Sequence, residues 1–114
     1  MGWILQLISE GEFVNDKKNG LHRKWYENGQ LKSEGNYNNG NRNGLNRTWY
    51  GNGNIKRIGE LKNDVWIGTI KVYTEKGLLR SIVKTDGEFL YEHNILNDKK
   101  FVFKYINGEY IEIN

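Results

Sequence analysis

The sequence contains no cysteine and no proline among its 114 residues. Without cysteine the protein has no disulfide framework, no thiolate metal site and no cysteine nucleophile. Without proline every residue keeps its backbone N–H, which suits strands that pair along their whole length. Thiol chemistry is therefore excluded, and a strand-rich fold is favoured.

Long apolar segments are also missing. Residues 1–8 form a short apolar run without a basic flank, so we expect neither a signal peptide nor a membrane span there. We expect a cytoplasmic protein, and a secreted or surface location only if a leader precedes this sequence.

An excess of charge of one sign is absent too. The 17 basic and 14 acidic residues are mixed along the chain and give a net charge of +3, well short of a dedicated nucleic-acid arm. Aromatic residues make up 13% of the chain, which argues against disorder and favours a shallow core built from rings.

The sequence shows no reactive constellation. His22 and His93 have no partners at metal-ligand or catalytic-triad spacing. Ser9, Ser33 and Ser81 lie in predicted strands, outside any nucleophile elbow. We therefore predict no metal site, no cofactor and no enzymatic activity, although two acids brought together by the fold could still do acid–base work.

What the sequence does contain is a repeat of 24 residues. Corresponding positions recur at that interval: Gly20, Gly44 and Gly68; Trp25, Trp49 and Tyr73; Asn28 and Asn52; Leu31, Ile55 and Leu79. Each repeat is one supersecondary unit. We predict a single domain with repeats at about 1–19, 20–43, 44–67 and 68–91 and an atypical cap at 92–114.

The repeat predicts an all-β fold: a single curled antiparallel meander of repeated β-hairpins, closed by an atypical C-terminal capping hairpin. Asn-Gly pairs between apolar runs are strong hairpin signals. Trp3 and Leu5 are expected to extend the first strand. The segment 92–100 is the one place where a short helical turn could form.

Loop length decides which residues share a face. A three-residue loop at 27–29, with Gly29 left-handed, pairs Trp25 with Leu31. If every loop has three residues, all odd-numbered residues lie on one face. We therefore predict that the odd-numbered face is the core face and that Trp25 and Trp49 are largely buried.

The even-numbered face is then the surface left for a partner. Lys32, Lys56 and Arg80 recur at the repeat interval, with Tyr26 and Tyr50 close by. Cations beside rings suit a solvated face whose Lys stems cover the rings, a protein interface, or weak contact with nucleic acid or anionic lipid.

Trp66 is a large apolar residue at an even position. It is either covered by the C-terminal segment or part of an exposed apolar partner site. The partner-binding residues predicted from the sequence are Tyr26, Lys32, Tyr50, Lys56, Trp66 and Arg80.

The pattern Gly-Leu-x-x-x-Trp-Tyr-x-x-Gly-x-Leu-Lys-x-x-Gly-x-Tyr resembles the MORN-repeat variant family, a bacterial branch of the membrane-occupation-and-recognition-nexus repeats. It covers about residues 11–80 and departs from the family at Thr69, Tyr73 and Val83. The resemblance implies a curled hairpin sheet that binds a partner. Members described as antitoxin components imply an antitoxin- or immunity-like inhibitor or adaptor, with another protein as partner, such as a toxin or nuclease. The alternative is a structural or cell-surface module that binds host or membrane components.

Overall fold

A computed structural model of the protein describes residues 8–113 and shows ten β-strands. The strands are β1 (Ser9–Val14), β2 (Lys17–Trp25), β3 (Leu31–Asn38), β4 (Asn41–Trp49), β5 (Ile55–Lys62), β6 (Val65–Tyr73), β7 (Leu79–Thr85), β8 (Phe89–Asn94), β9 (Lys100–Ile106) and β10 (Glu109–Glu112). They form one antiparallel sheet in chain order. The predicted all-β meander of hairpins is confirmed.

The sheet is a single layer with extents of 59 × 38 × 18 Å. Every extensive contact between strands of the described chain joins neighbours in the sequence, so no strand folds back over another. Because no second layer covers the sheet, both of its faces meet water. The described part of the chain consequently buries few side chains completely, and the apolar ones are Leu61, Ile70 and Val83.

Two kinds of loop alternate between the strands from β1 to β7. The three-residue loop predicted at 27–29 is confirmed, with Gly29 at a φ of 87° and Trp25 opposite Leu31. Its counterparts at 51–53 and 75–77 place Trp49 opposite Ile55 and Tyr73 opposite Leu79. A register shift next to each of these pairs moves the rest of both strands by one residue.

Four of the loops within residues 8–113 have two residues, contrary to the expectation of three throughout. Asn63 and Asp64 join β5 to β6 with φ values of 49° and 67°, and Lys62 pairs with Val65. Two successive positive φ angles define a type I′ turn, which matches the twist of the flanking strands. The same geometry recurs at 15–16, 39–40 and 107–108.

The prediction that all odd-numbered residues share one face is therefore wrong. His22 lies opposite Gly35, and Asn46 lies opposite Gly59, so even positions of β2 and β4 share a face with odd positions of β3 and β5. We call this the inner face, because it carries Leu61, Ile70 and Val83. The opposite side is the outer face.

Apolar residues of the same parity therefore lie on different faces of the sheet. Leu61 lies on the inner face with 2% of its surface exposed, whereas Leu45, also odd-numbered, lies opposite Glu60 on the outer face with 37% exposed. Trp25 and Trp49, expected to be largely buried, are half-buried. A one-layer sheet cannot enclose an indole from both sides.

The C-terminal strands extend the edge of the sheet. A turn after Asn94 leads from β8 to β9, and the backbone N–H of Asn94 donates a hydrogen bond across it to the carbonyl of Lys99. The helical turn considered at 92–100 is therefore replaced by strand and turn. The expectation that Trp3 and Leu5 extend the first strand lies outside the described residues.

Candidate functional surfaces

Tyrosine and asparagine side chains tie each repeat to the next at the three-residue loops. The Tyr26 hydroxyl donates to the Trp49 carbonyl over 2.6 Å, and Asn28 Nδ2 donates to the Gly51 carbonyl over 2.8 Å. One repeat later, Tyr50 and Asn52 make the same bonds to the Tyr73 and Glu75 carbonyls, over 2.7 and 2.8 Å. We call these four hydrogen bonds the loop ladder. They satisfy carbonyl groups at the ends of β4 and β6 and in the three-residue loops that follow.

The predicted lysines lie against the tyrosines of the loop ladder. Lys32 Nζ stands 5.5 Å from the centre of the Tyr26 ring, and Lys56 Nζ stands 5.6 Å from that of Tyr50. The structure therefore brings these four predicted residues together as two pairs. The rings and hydroxyls of the two tyrosines support the fold. The sequence did not reveal this role, because the recurrence of a tyrosine does not show which backbone carbonyl its hydroxyl will bind.

The third repeat departs from this pattern. Thr74 stands where the other repeats have tyrosine, and its hydroxyl accepts a hydrogen bond from the Leu78 N–H over 3.1 Å. Arg80, the third predicted cation, lines an open hollow beside Thr74 and Asn54. Its predicted role in binding stays a prediction.

Trp66 lies apart from the other predicted residues. It pairs with Leu61 on the inner face, just after the two-residue turn at 63–64, whereas the tyrosines stand at the three-residue loops. Arg57 lies over its ring at 5.1 Å from the ring centre. The C-terminal strands do not roof Trp66, so that expected environment is wrong. Its predicted place in a partner site stays a prediction.

The outer face of β1–β4 carries a row of alternating charges. Glu10, Arg23, Glu34 and Arg47 lie opposite one another on successive strands. The bond from Arg23 Nε to Glu34 Oε2 is 2.8 Å long, and two longer contacts of 3.9 and 3.8 Å complete the row. Partly exposed pairs of this kind add little stability each. Their main consequence is that these acids and bases neutralise one another on one face.

The outer face changes character toward the C terminus. A concavity of about 360 Å³ lies over β7–β9. Tyr91 stands in it with 50% of its surface exposed, next to half-buried Ile82 and Val102. Its outer-face members are Ile82, Lys84, Tyr91, His93, Lys100 and Val102. We call these six residues the C-terminal patch.

The rim of the C-terminal patch is basic. His93 Nε2 lies 2.7 Å from Asp98 Oδ1, and this hydrogen bond is the largest cause that lowers the pKa of Asp98. Lys84 and Lys100 are exposed. Protein interfaces usually have an aromatic-rich, apolar centre and a polar rim, and charged residues such as Lys are depleted at the centre. The C-terminal patch has the same arrangement.

Candidate metal ligands are scattered across residues 8–113. No three residues among His, Asp and Glu converge there as metal ligands. Within the same range, no helix is long and apolar enough to cross a membrane.

The fold and surfaces define the class of protein: a one-layer antiparallel sheet of hairpin repeats, locked together by side chains at the loops. Residues 18–39 and 42–63 match the MORN repeat variant family. Repeats of this family are generally non-catalytic modules that bind proteins or membranes. No curated protein matches the chain.

Proposed function

We propose that this chain is a non-enzymatic module that binds another protein through the C-terminal patch. The observation that carries the proposal is Tyr91, a half-exposed ring among Ile82, Val102 and cationic side chains. Aromatic residues are enriched at the energetic centres of interfaces. We propose that this binding serves an inhibitor or adaptor role, as the resemblance to MORN-repeat variants described as antitoxin components implies.

The chemistry of the patch indicates the chemistry of its partner. Lys84, Lys100 and, one strand away, Lys71 surround the apolar centre, and Lys71 lies opposite Ile82 on the outer face. A partner that combines apolar residues with Asp or Glu would match both the shape and the charge. We therefore expect an acidic partner surface with an apolar centre.

The predicted loop-end residues are a weaker choice for this role. The hydroxyls of Tyr26 and Tyr50 are already used in hydrogen bonds of 2.6 and 2.7 Å within the sheet. Their rings also carry Lys32 and Lys56. A partner at this end would have to compete with contacts that hold the repeats together.

The test uses affinity capture from cells of the source organism, followed by titration of the purified partner. Tyr91→Ser should weaken binding at least tenfold, because it removes the exposed ring from the centre of the patch. Leu21→Ser is the matched control, since Leu21 is an exposed apolar residue on the outer face at the other end of the sheet. Both variants should retain cooperative unfolding.

Two results would contradict the proposal. Equal loss in the two variants would point to general surface hydrophobicity instead of a defined interface. Full affinity in Tyr91→Ser, combined with loss in the Lys32→Gln or Arg80→Gln variant, would return the site to the loop end.

A further inference from the structure

The inner face collects cations at the N-terminal half of the sheet. Lys18 lies opposite Phe13, and Lys24 lies opposite Ser33. Arg42 lies opposite Tyr37, and Arg57 lies opposite Thr48. Since residues directly opposite each other in an antiparallel pair share a face, these four cations project to the inner side.

The acids of the same strands project the other way. Glu10 and Glu34 bind Arg23 on the outer face, and Glu60 lies there opposite Leu45 and Ile67. A carboxylate that does reach an inner-face cation is that of Asp64, whose Oδ1 lies 3.2 Å from Arg42 Nε. The inner face at this end of the sheet therefore carries an excess of cations, whereas acids and bases are mixed on the outer face.

Aromatic rings stand between the inner-face cations. Phe13 and His22 meet edge to face with centres 5.3 Å apart, and His22 and Tyr37 meet in the same way at 5.2 Å. Lys18 Nζ lies 4.9 Å from the centre of the Tyr37 ring. Phe13 has 61% of its surface exposed, so its ring offers a free stacking surface.

These residues surround a hollow of about 230 Å³ on the sheet. Its floor is formed where Gly11 and Gly35 lack side chains and the side chains of His22 and Asn46 lie over them. Hydrogen-bonding groups on Ser33 and Asn46 line the hollow together with Lys18 and Lys24. Glu10 and Glu34 also contribute to its lining, and their carboxylates pair with Arg23. The hollow therefore combines cationic side chains, flat rings and neutral polar groups with two acids that are already paired.

Arg57 continues the positive charge beyond the hollow, next to Arg42, whose charge is paired with Asp64. Burial is the larger cause that lowers the pKa of Arg57, and the nearby Arg42 lowers it further. Arg57 also stacks on Trp66, which adds a second cation–ring pair to the face. From Lys24 in β2 to Arg57 in β5 the charge spans three strand spacings, or roughly 14 Å.

We propose that the N-terminal half of the inner face binds single-stranded nucleic acid. Bases stack on exposed rings, and phosphates bind the cations between them, as in other surfaces that bind single strands without reading their sequence. A charged span of several strands favours a polyanionic chain over one small headgroup. Because this surface lies on the opposite face from the C-terminal patch, the proposal does not depend on the protein-binding function.

The test is fluorescence anisotropy with a labelled single-stranded oligothymidylate at about 50 mM salt, where phosphate contacts are strong. The double variant Lys18→Gln/Lys24→Gln should bind about tenfold more weakly than the unchanged protein. Its salt slope should be shallower by about 1.4, from two lost phosphate contacts at roughly 0.7 each. The control Lys71→Gln/Lys84→Gln removes the same charge from the outer face and should change the affinity less than about twofold.

Phe13→Ser tests the stacking part separately. It should weaken binding by roughly tenfold, the order expected for one lost base–ring stack, and leave the salt slope unchanged. Phe13 is largely exposed, so this variant should fold. If the double lysine variant fails to unfold cooperatively, Lys24→Gln alone supplies the charge test, because Lys24 is exposed.

Three results would overturn the proposal. The first is no binding of the oligonucleotide by the unchanged protein at low salt. The second is equal loss of affinity in the inner-face and outer-face double variants, which would indicate a general charge effect. The third is binding to vesicles of anionic phospholipid, dependent on Lys18 and Lys24, without binding to the oligonucleotide. Failure here leaves the effect of Tyr91→Ser on protein binding unchanged, so the two proposals can fail independently.

Discussion

The hydroxyl of Tyr26 donates a hydrogen bond of 2.6 Å to the backbone carbonyl of Trp49, across 23 positions in the sequence. The bond passes from one repeat to the next at the end where the three-residue loops lie. Tyr50 repeats it toward Tyr73, and Asn28 and Asn52 add parallel bonds. A sheet with few fully buried side chains is thus stabilised in part by polar side chains at the end where its three-residue loops lie.

The loop ladder predicts a measurable cost for one hydroxyl. Tyr50→Phe keeps the ring and removes the bond to the Tyr73 carbonyl, so the free energy of unfolding should fall by about 0.5–1.5 kcal/mol. Tyr91→Phe is the control, because Tyr91 is half exposed on the outer face. Urea denaturation gives the free energy of unfolding of both variants. Equal values for the two would show that this hydrogen bond of the loop ladder contributes nothing to stability.

A side chain at position 59 should disturb the core. A Cβ added to Gly59 would lie 2.8 Å from both Ile70 Cγ1 and Trp66 Cζ3, which is too close for real contacts. Gly59→Ala should therefore lower stability by about 1–3 kcal/mol, the usual cost of overpacking. Gly51→Ala serves as control, since nothing lies within 4 Å of its added Cβ. The measurement is the thermal unfolding midpoint of each variant. A midpoint for Gly59→Ala equal to that of the unchanged protein would mean that the core adjusts freely to the added methyl group.

The assignment of faces can be tested with two leucines of equal parity. Leu61→Ala should cost about 2–5 kcal/mol, because Leu61 is 2% exposed on the inner face. Leu45→Ala should cost on the order of 1 kcal/mol, because Leu45 is 37% exposed on the outer face. Chemical denaturation would give similar losses for both if the odd-numbered residues did share one buried face.

Acid should weaken the contact between Asp64 and Arg42. The backbone N–H of Arg42 is the largest cause that lowers the pKa of Asp64, and the Arg42 side chain lowers it further. A lowered carboxyl pKa means that the unfolded chain binds more protons than the folded one in this range. The contact therefore stabilises the fold above the ordinary Asp pKa of about 3.9 and is lost as the pH falls through the lower folded value.

Asp64→Asn should consequently lower stability near pH 7 and reduce the decline below about pH 4. The measurement is the denaturation midpoint as a function of pH. Asp16→Asn is the control, because Asp16 has the same place in the first two-residue turn. Parallel pH curves for the Asp64→Asn variant and the unchanged protein would contradict the expectation.

Much of the local structure could be predicted from the sequence because it depends on near neighbours. The 24-residue period predicts hairpins in chain order, and Glu27-Asn28-Gly29 predicts the three-residue loop that pairs Trp25 with Leu31. Glycine at the third loop position allows the left-handed backbone, so a short stretch of sequence is sufficient. The turn Asn63-Asp64 was missed because it lacks glycine, although Asn and Asp also tolerate positive φ.

The sequence by itself determined the strands, their order and the absence of thiol chemistry. Only the tertiary structure decided the faces, because each two-residue turn and each register shift reverses which residues of a strand point inward. That reversal places Trp66 beside Leu61, pairs Glu34 with Arg23 on the outer side and leaves Lys24 on the inner side. The excess of cations on the inner face is a property of pairing across strands, and a sequence read along one strand at a time does not contain it.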